Sequence, residues 1–171
     1  MSPPVFGVVG WKNSGKTTLM SHLIHEFAQR GYVVSVIKHA HLKFDIDHPG
    51  RDSFKMREAG ARQIVLSSPR RFALMRELGD APEMTFERLL TYAGPCDVIL
   101  VEGYKHEDYP KIEIRREGAT SREPLSTEFP GVVAIASDRP QDVRESLPTF
   151  PIDDIEPIVS FIIELLGLRR P

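Results

Sequence analysis

The chain has 171 residues, 41% of them hydrophobic and 27% charged, and its formal net charge at pH 7 is −2. This composition is typical of a globular protein that buries a core, so we expect a single domain over residues 1–171, and the near-neutral charge favours neither nucleic acid nor a membrane as partner. The single cysteine excludes an internal disulfide, the N-terminus lacks a signal-peptide pattern, and no apolar run approaches the roughly 18 residues of a membrane helix, so we expect a cytoplasmic protein.

The first predicted strand, Val5–Val9, leads into a motif of the form G-x-x-x-x-G-K-[ST] that begins at Gly10. The glycines of such a motif allow a tight turn, and the successive backbone N–H groups point inward and cradle phosphates. The motif lysine lies between the outer two phosphates, and the following hydroxyl holds Mg²⁺. An apolar stripe from Leu19 to Ala28 predicts a helix whose positive N-terminal end adds to anion binding. Together they predict a nucleotide site built from Gly10, Lys12, Asn13, Ser14, Gly15, Lys16, Thr17 and Thr18, with Thr17 as a metal ligand.

The second predicted strand, Val33–Ile37, follows that helix, and such a crossover is almost always right-handed with parallel strands. The stretch from Lys38 to Ser53 then collects three histidines and three aspartates. It starts at the carboxyl end of a strand, where ligands bind in open α/β sheets. Three interpretations remain open: a loop that senses the outer phosphate and Mg²⁺ through Asp45 or Asp47, a transition-metal site of His39, His41 and His48, or a solvated polar loop.

Two helices and a hairpin are predicted next. Asp52 is predicted to cap a short helix over Ser53–Ala59. Gln63–Leu66 and Phe72–Met75 are predicted to form an antiparallel hairpin. Thr85 is predicted to cap a second helix, which ends at the Gly-Pro pair 94–95.

A second informative motif is the apolar strand Val98–Val101 followed by Glu102 and Gly103. The strand is predicted to be buried and to deliver a carboxylate to the carboxyl edge of the sheet. In phosphate-loop proteins an acid at this place holds Mg²⁺ directly or through water. The alternative is an ordinary solvent-exposed acid at a strand end.

The last third of the chain is predicted to hold two strands and a helix. Lys111–Arg115 alternates and predicts a half-buried strand, and Val132–Ala136 predicts a core strand. Asp138 then lies at the carboxyl edge, where it either accepts hydrogen bonds from guanine or is a turn residue, and the N-K-x-D guanine motif is absent. The very apolar helix that opens at Asp153 or Asp154 either packs on the sheet or also contacts a second subunit.

These elements predict an α/β fold of the P-loop NTPase type, with three layers (α/β/α), a mostly parallel sheet and an added antiparallel hairpin. No residue is an obvious strong base for water, so we expect nucleotide hydrolysis to be slow at most. A small-molecule kinase is an alternative, with Arg115, Arg116 and Arg122 as a candidate lid. A metal-delivery GTPase that uses the histidine-rich stretch is another.

Four segments of the chain resemble the molybdopterin-guanine dinucleotide biosynthesis adapter protein family (protein B, the MobB family): Gly10–Thr18, Ile37–His41, Asp45–Ser53 and Val101–Lys105. The resemblance implies GTP and Mg²⁺ as ligands, weak GTPase activity and a homodimer. It also implies association with the molybdenum cofactor guanylyltransferase, which attaches GMP to molybdopterin, and makes molybdopterin or a molybdoenzyme further candidate partners. The implied role is to support cofactor maturation, while the transfer chemistry belongs to the guanylyltransferase.

Overall fold

The structure is a computed structural model that describes residues 2–40, 46–121 and 123–169. The chain divides into two compact units, one made of Met1–His39 with Phe86–Pro171 and one made of Ala40–Thr85. This division by contacts does not test whether the chain is one domain, so the single domain remains a prediction. In chain order the elements are β1 Val5–Gly10, α1 Lys16–Gln29, β2 Val34–Lys38, α2 Asp52–Glu58, β3 Gln63–Ser67, β4 Phe72–Arg76, α3 Phe86–Leu90, β5 Val98–Glu102, β6 Lys111–Arg115, β7 Val132–Ser137, β8 Thr149–Pro151 and α4 Ile155–Leu166.

The first unit is built on a six-stranded sheet with the order β2-β5-β1-β6-β7-β8. Every neighbouring pair in it is parallel, so all the strands end at the same edge. The sheet confirms the predicted mostly parallel architecture. Because β1 lies at the centre, the loop that follows it is flanked by the carboxyl ends of β5 and β6.

Apolar side chains cover both faces of this sheet. In β5, Val98 and Leu100 face the core shared with α1 and α4, while Ile99 and Val101 face a second cluster that includes Phe86 of α3. A strand buried on both faces has a continuous apolar sequence, as β5 does. The three predicted layers are therefore present, and α4 packs against the sheet, as the first of its two interpretations required.

β6 corrects one prediction. The alternation in its sequence predicts a half-buried strand, yet all five of its residues are buried. Ile112 and Ile114 join the main core. The charged residues on the opposite face, Lys111, Glu113 and Arg115, are buried because each finds polar partners, which removes most of the cost of taking a charge out of water.

Smaller differences concern the ends of elements. The prediction that Asp52 caps α2 is wrong: Asp52 is the first helical residue, Arg51 takes the cap position, and no side-chain cap bond is present among the described residues. α3 is shorter than predicted. Sequence analysis missed β8, a three-residue strand parallel to β7 that ends in a proline.

The second unit contains α2 and the antiparallel pair β3–β4, so the predicted hairpin is confirmed. Val65 pairs with Leu74 in its register, and both are exposed together with Phe72. Among the helices of the described residues, none has the length and apolar character to cross a membrane.

Candidate nucleotide-binding site

The loop after β1 has the geometry of an anion cradle. Asn13 and Gly15 adopt the left-handed conformation, with φ of 64° and 89°. Left-handed residues within a turn direct successive N–H groups toward one side, and that concave surface binds anions. Among the described residues no side chain caps α1, and its first turn contains no acid, so the amides at its N-terminus are available to phosphate.

Gly10 has a separate reason to be glycine. A Cβ at this position would lie 2.6 Å from Ser14 Oγ and 3.0 Å from the carbonyl oxygen of Ile114. The loop therefore packs directly on the end of β6. Ser14 itself is fully buried, and its hydroxyl has no hydrogen-bond partner among the described residues.

Lys16 folds back over the loop. Its ammonium donates hydrogen bonds to the carbonyl oxygens of Gly10 at 3.0 Å and Trp11 at 2.8 Å. Burial lowers the pKa of Lys16, while the nearby Glu102 carboxylate acts in the opposite direction. The ammonium is thus held at the loop by carbonyl dipoles, in a place from which it can neutralise phosphate oxygens.

Thr17 and Glu102, the residues that the sequence suggests as metal ligands, are in hydrogen-bond contact. The Thr17 hydroxyl lies 3.3 Å from Glu102 Oε1 and 3.2 Å from Oε2. Lys38 at the end of β2 completes the cluster, because its ammonium is 3.1 Å from Glu102 Oε1 and 3.2 Å from Thr17 Oγ1. A hydroxyl and a carboxylate are the oxygen ligands that Mg²⁺ prefers, so this pair fits the ion.

The segment after β6, residues 116–126, is hydrogen-bonded to the phosphate-binding loop. The amide of Thr120 donates to the carbonyl oxygen of Lys12 at 3.0 Å, and the indole N–H of Trp11 donates to that of Glu123 at 2.8 Å. Arg116 approaches the same loop, with its Nη1 3.4 Å from where a Cβ of Gly15 would lie. Sequence analysis missed these hydrogen bonds, because they join residues more than 100 positions apart.

Arg115 is not available as a lid residue. It is buried, and its guanidinium makes two 2.9 Å hydrogen bonds to Glu113 and a 2.7 Å ion pair to Glu145. Burial alone would lower the pKa of Arg115, but the bonds to the two carboxylates outweigh it and raise that pKa above its usual value. Arg122, the third candidate for a lid, lies outside the described residues.

Asp138 follows β7 and is exposed at the carboxyl edge, as predicted. Its Oδ2 accepts a 2.8 Å hydrogen bond from the amide of Glu117. Asp47, the other candidate metal ligand, belongs to the second unit, where its carboxylate accepts a 2.8 Å bond from Ser53 and lies 3.6 Å from Arg57.

The histidine-rich stretch is only partly described. Asp45, one of the two aspartates named for the phosphate-sensing interpretation, and His41, one of the three histidines of the transition-metal interpretation, lie outside the described residues. The His39 ring packs against that of Tyr104 in a tilted arrangement, with the ring centroids 4.9 Å apart. His48 is exposed in the second unit. Within the described part of the chain, no three His, Cys, Asp or Glu side chains group as a metal site.

A central parallel strand, a glycine loop with left-handed residues and a helix that starts at the motif lysine define the P-loop NTPase fold. The family model described as "Molybdopterin guanine dinucleotide synthesis protein B" matches residues 5–138. The chain therefore belongs to the MobB family.

Relatives and solved structures agree with this family. The chain is 38% identical over 163 residues to the molybdopterin-guanine dinucleotide biosynthesis adapter protein of Escherichia coli, covering 94% of this chain and 92% of that one. It is 38% identical over 164 residues to the Haemophilus influenzae adapter protein, covering 93% and 87%. A crystal structure of Bacillus subtilis MobB shares the fold, with a TM-score of 0.75, 24% identity, and coverage of 98% of this chain and 99% of that one.

Proposed function

We propose that this chain binds GTP with Mg²⁺ at the loop from Gly10 to Thr18 and acts as an adapter in molybdopterin-guanine dinucleotide biosynthesis. The observation that carries the proposal is the uncapped N-terminus of α1 behind a loop with two left-handed residues, next to the Lys16 ammonium. Two relatives that match nearly the whole chain are named as adapter proteins of that pathway. The partner we propose is the molybdenum cofactor guanylyltransferase, with molybdopterin or a molybdoenzyme as further candidates, in the cytoplasm.

Each side chain of the site has a distinct part in this proposal. The loop amides and Lys16 bind the phosphate oxygens, and Lys16 offsets their negative charge. Thr17 and Glu102 hold the metal ion. When bound, Mg²⁺ neutralises charge on the outer phosphates.

Hydrolysis at this site is proposed to be slow. Within the described residues around the loop, the carboxylate that reaches Thr17 is Glu102, and it is already paired with Lys38. A carboxylate that is paired with a cation, whether a lysine or a metal ion, is poorly suited to take a proton from water. GTP turnover would then serve to switch the adapter, and the product-forming chemistry would stay with the guanylyltransferase.

Asp138 is proposed to recognise the base. It lies at the same sheet edge as the phosphate loop, and a carboxylate can accept hydrogen bonds from the ring N–H and the amino group of guanine. Asp138→Asn should weaken GTP binding and narrow the preference for GTP over ATP. An unchanged preference would assign base recognition to another residue.

We propose that a second copy of the chain covers the exposed face of the β3–β4 hairpin. Val65 and Leu74 are cross-strand neighbours there, and 53% and 37% of their respective surfaces are exposed, while Phe72 is 66% exposed. An exposed apolar patch suits a two-fold contact, in which identical chains meet through the same surface. Sedimentation of wild type and Phe72→Ser should show a dimer that the substitution weakens.

Competition of labelled GTP by ATP and by GDP, with and without Mg²⁺, tests nucleotide binding directly. Lys16→Met should lose binding while keeping its thermal transition, and Lys55→Met, on an exposed helix face, is the matched control. Retained GTP affinity in Lys16→Met would remove the assignment. Co-purification with the guanylyltransferase tests the adapter role, whereas turnover that rises with one metabolite would favour the kinase and bound transition metal would favour metal delivery.

A further inference from the structure

The ammonium of Lys38 lies where a metal ion would be expected to meet its protein ligands. Its Nζ is 3.1 Å from Glu102 Oε1 and 3.2 Å from Thr17 Oγ1, and the Thr17 hydroxyl is itself 3.2 Å from the Glu102 carboxylate. The three groups form a closed triangle. One cation therefore touches both of the side chains that suit Mg²⁺.

The backbone fixes this arrangement. Lys38 and Glu102 are register partners at the ends of the parallel strands β2 and β5. The next residue, His39, donates its amide to the carbonyl oxygen of Glu102 at 2.9 Å, which holds the two strand ends together. The Lys38 side chain is 49% exposed and that of Glu102 only 10%, so the carboxylate is fixed while the lysine has room to move.

We propose that Lys38 is a tethered counter-cation that takes the place of the metal before nucleotide loading and competes with it afterwards. The inference rests on the proposed nucleotide function. Two positive charges cannot share the same carboxylate and hydroxyl without strong repulsion, so a metal ion must displace the ammonium. The flexible four-carbon stem of lysine permits that displacement without movement of β2.

This competition has two measurable consequences. Removal of the charge leaves Glu102 and Thr17 open to a divalent ion, so the metal affinity of the nucleotide complex rises. It also removes a positive charge from the empty site, so nucleotide binding in the absence of metal weakens. The metal therefore raises nucleotide affinity only a little in the wild type and more in the variant. The nucleotide raises metal affinity by the same factor in each protein, because the coupling between two ligands is reciprocal.

The test uses the full chain with Lys38→Met, Lys38→Gln and Lys38→Arg, and Lys55→Met as the control on an exposed helix face. Mn²⁺ is titrated into each protein with bound GDP and followed by electron paramagnetic resonance. Calorimetry then measures GDP affinity with Mg²⁺ and with a chelator. We expect Mn²⁺ to bind on the order of tenfold more tightly to Lys38→Met and Lys38→Gln, with wild-type affinity in Lys38→Arg and Lys55→Met.

An unchanged or weaker Mn²⁺ affinity in both neutral variants, with wild-type GDP binding intact, overturns the inference alone. Absence of nucleotide binding in the wild type overturns the proposed function and this inference with it. Two neutral variants are included so that a folding defect in one, visible by circular dichroism, leaves the other to decide. A weaker affinity in Lys38→Arg than in Lys38→Met supports the role of charge.

Discussion

The amide of Thr120 donates a 3.0 Å hydrogen bond to the carbonyl oxygen of Lys12, which joins the segment after β6 to the phosphate-binding loop. The same segment is anchored below by Glu113, whose two carboxylate oxygens accept the amides of Leu125 at 3.0 Å and Ser126 at 3.1 Å. The buried Glu113 in β6 thus fixes the segment that is hydrogen-bonded to the phosphate-binding loop.

Glu113→Ala should therefore destabilise the protein strongly. It leaves the Arg115 guanidinium buried without its partner on β6, and two amides lose their acceptor. Breaking one side of a buried ion pair costs about 3–5 kcal/mol. Urea unfolding measures the change, with Glu128→Ala on an exposed turn as control. A loss below about 1 kcal/mol, the range of surface ion pairs, would contradict this account.

Low pH should reduce the stability of the folded protein, and part of that loss should come from Glu145. Its hydrogen bond to Arg115 lowers the pKa of Glu145 in the folded chain. In the unfolded chain this carboxylate takes up a proton at about pH 4.3. The folded state then binds fewer protons, so the stabilisation is present above that pH and is lost as the pH falls toward the lowered pKa. Glu145→Gln should lower the melting temperature at pH 7 and have a shrinking effect below pH ~4.3. A difference in melting temperature that is independent of pH would argue against the ion pair.

Arg116 should contribute to nucleotide affinity. Its guanidinium approaches Gly15 at the start of α1 and has no hydrogen-bond or ion-pair partner in the part of the chain that the structure describes. A charge-assisted hydrogen bond to phosphate is worth about 1.5–3 kcal/mol. Arg116→Ala should weaken GTP binding by roughly one to two orders of magnitude in a titration. Arg144→Ala, an exposed arginine, should bind as wild type does, and equal affinities in all three proteins would refute the role.

Gly10→Ala should disturb the loop from within. The added methyl meets Ser14 Oγ at 2.6 Å and the Ile114 carbonyl at 3.0 Å, and the latter belongs to a fixed strand. Overpacking of this kind costs about 1–3 kcal/mol. The melting temperature and the affinity for GTP should both fall. Gly118→Ala is the matched control, since a Cβ there meets nothing within 4 Å, and a similar loss in it would remove the steric explanation.

Local pattern explains why the centre of the site was predictable. The motif from Gly10 to Thr17 is contiguous, and its residue types alone imply the turn and the helix start. Because parallel strands bring their carboxyl ends to one edge of the sheet, the sequence alone predicts that Glu102 lies close to Thr17. The same rule placed Asp138 at that edge.

Side-chain partners far apart in sequence explain what was missed. The alternation of Lys111–Arg115 implied a half-exposed strand, because nothing local announces that Glu145 and the 125–126 amides satisfy its charges. Lys38 follows an apolar strand like many solvated lysines, and only the β2–β5 register brings it to Glu102. Propensity cannot identify such pairs, which depend on the assembled sheet.

Trp11 is the only tryptophan in the sequence, and it occupies the first position after Gly10. Its indole donates to the carbonyl oxygen of Glu123, and Lys105 lies 5.8 Å from its ring. Fluorescence that is excited selectively in tryptophan therefore originates at the start of the phosphate-binding loop. The native chain is its own optical reporter, with no dye to attach and no background from elsewhere in the molecule.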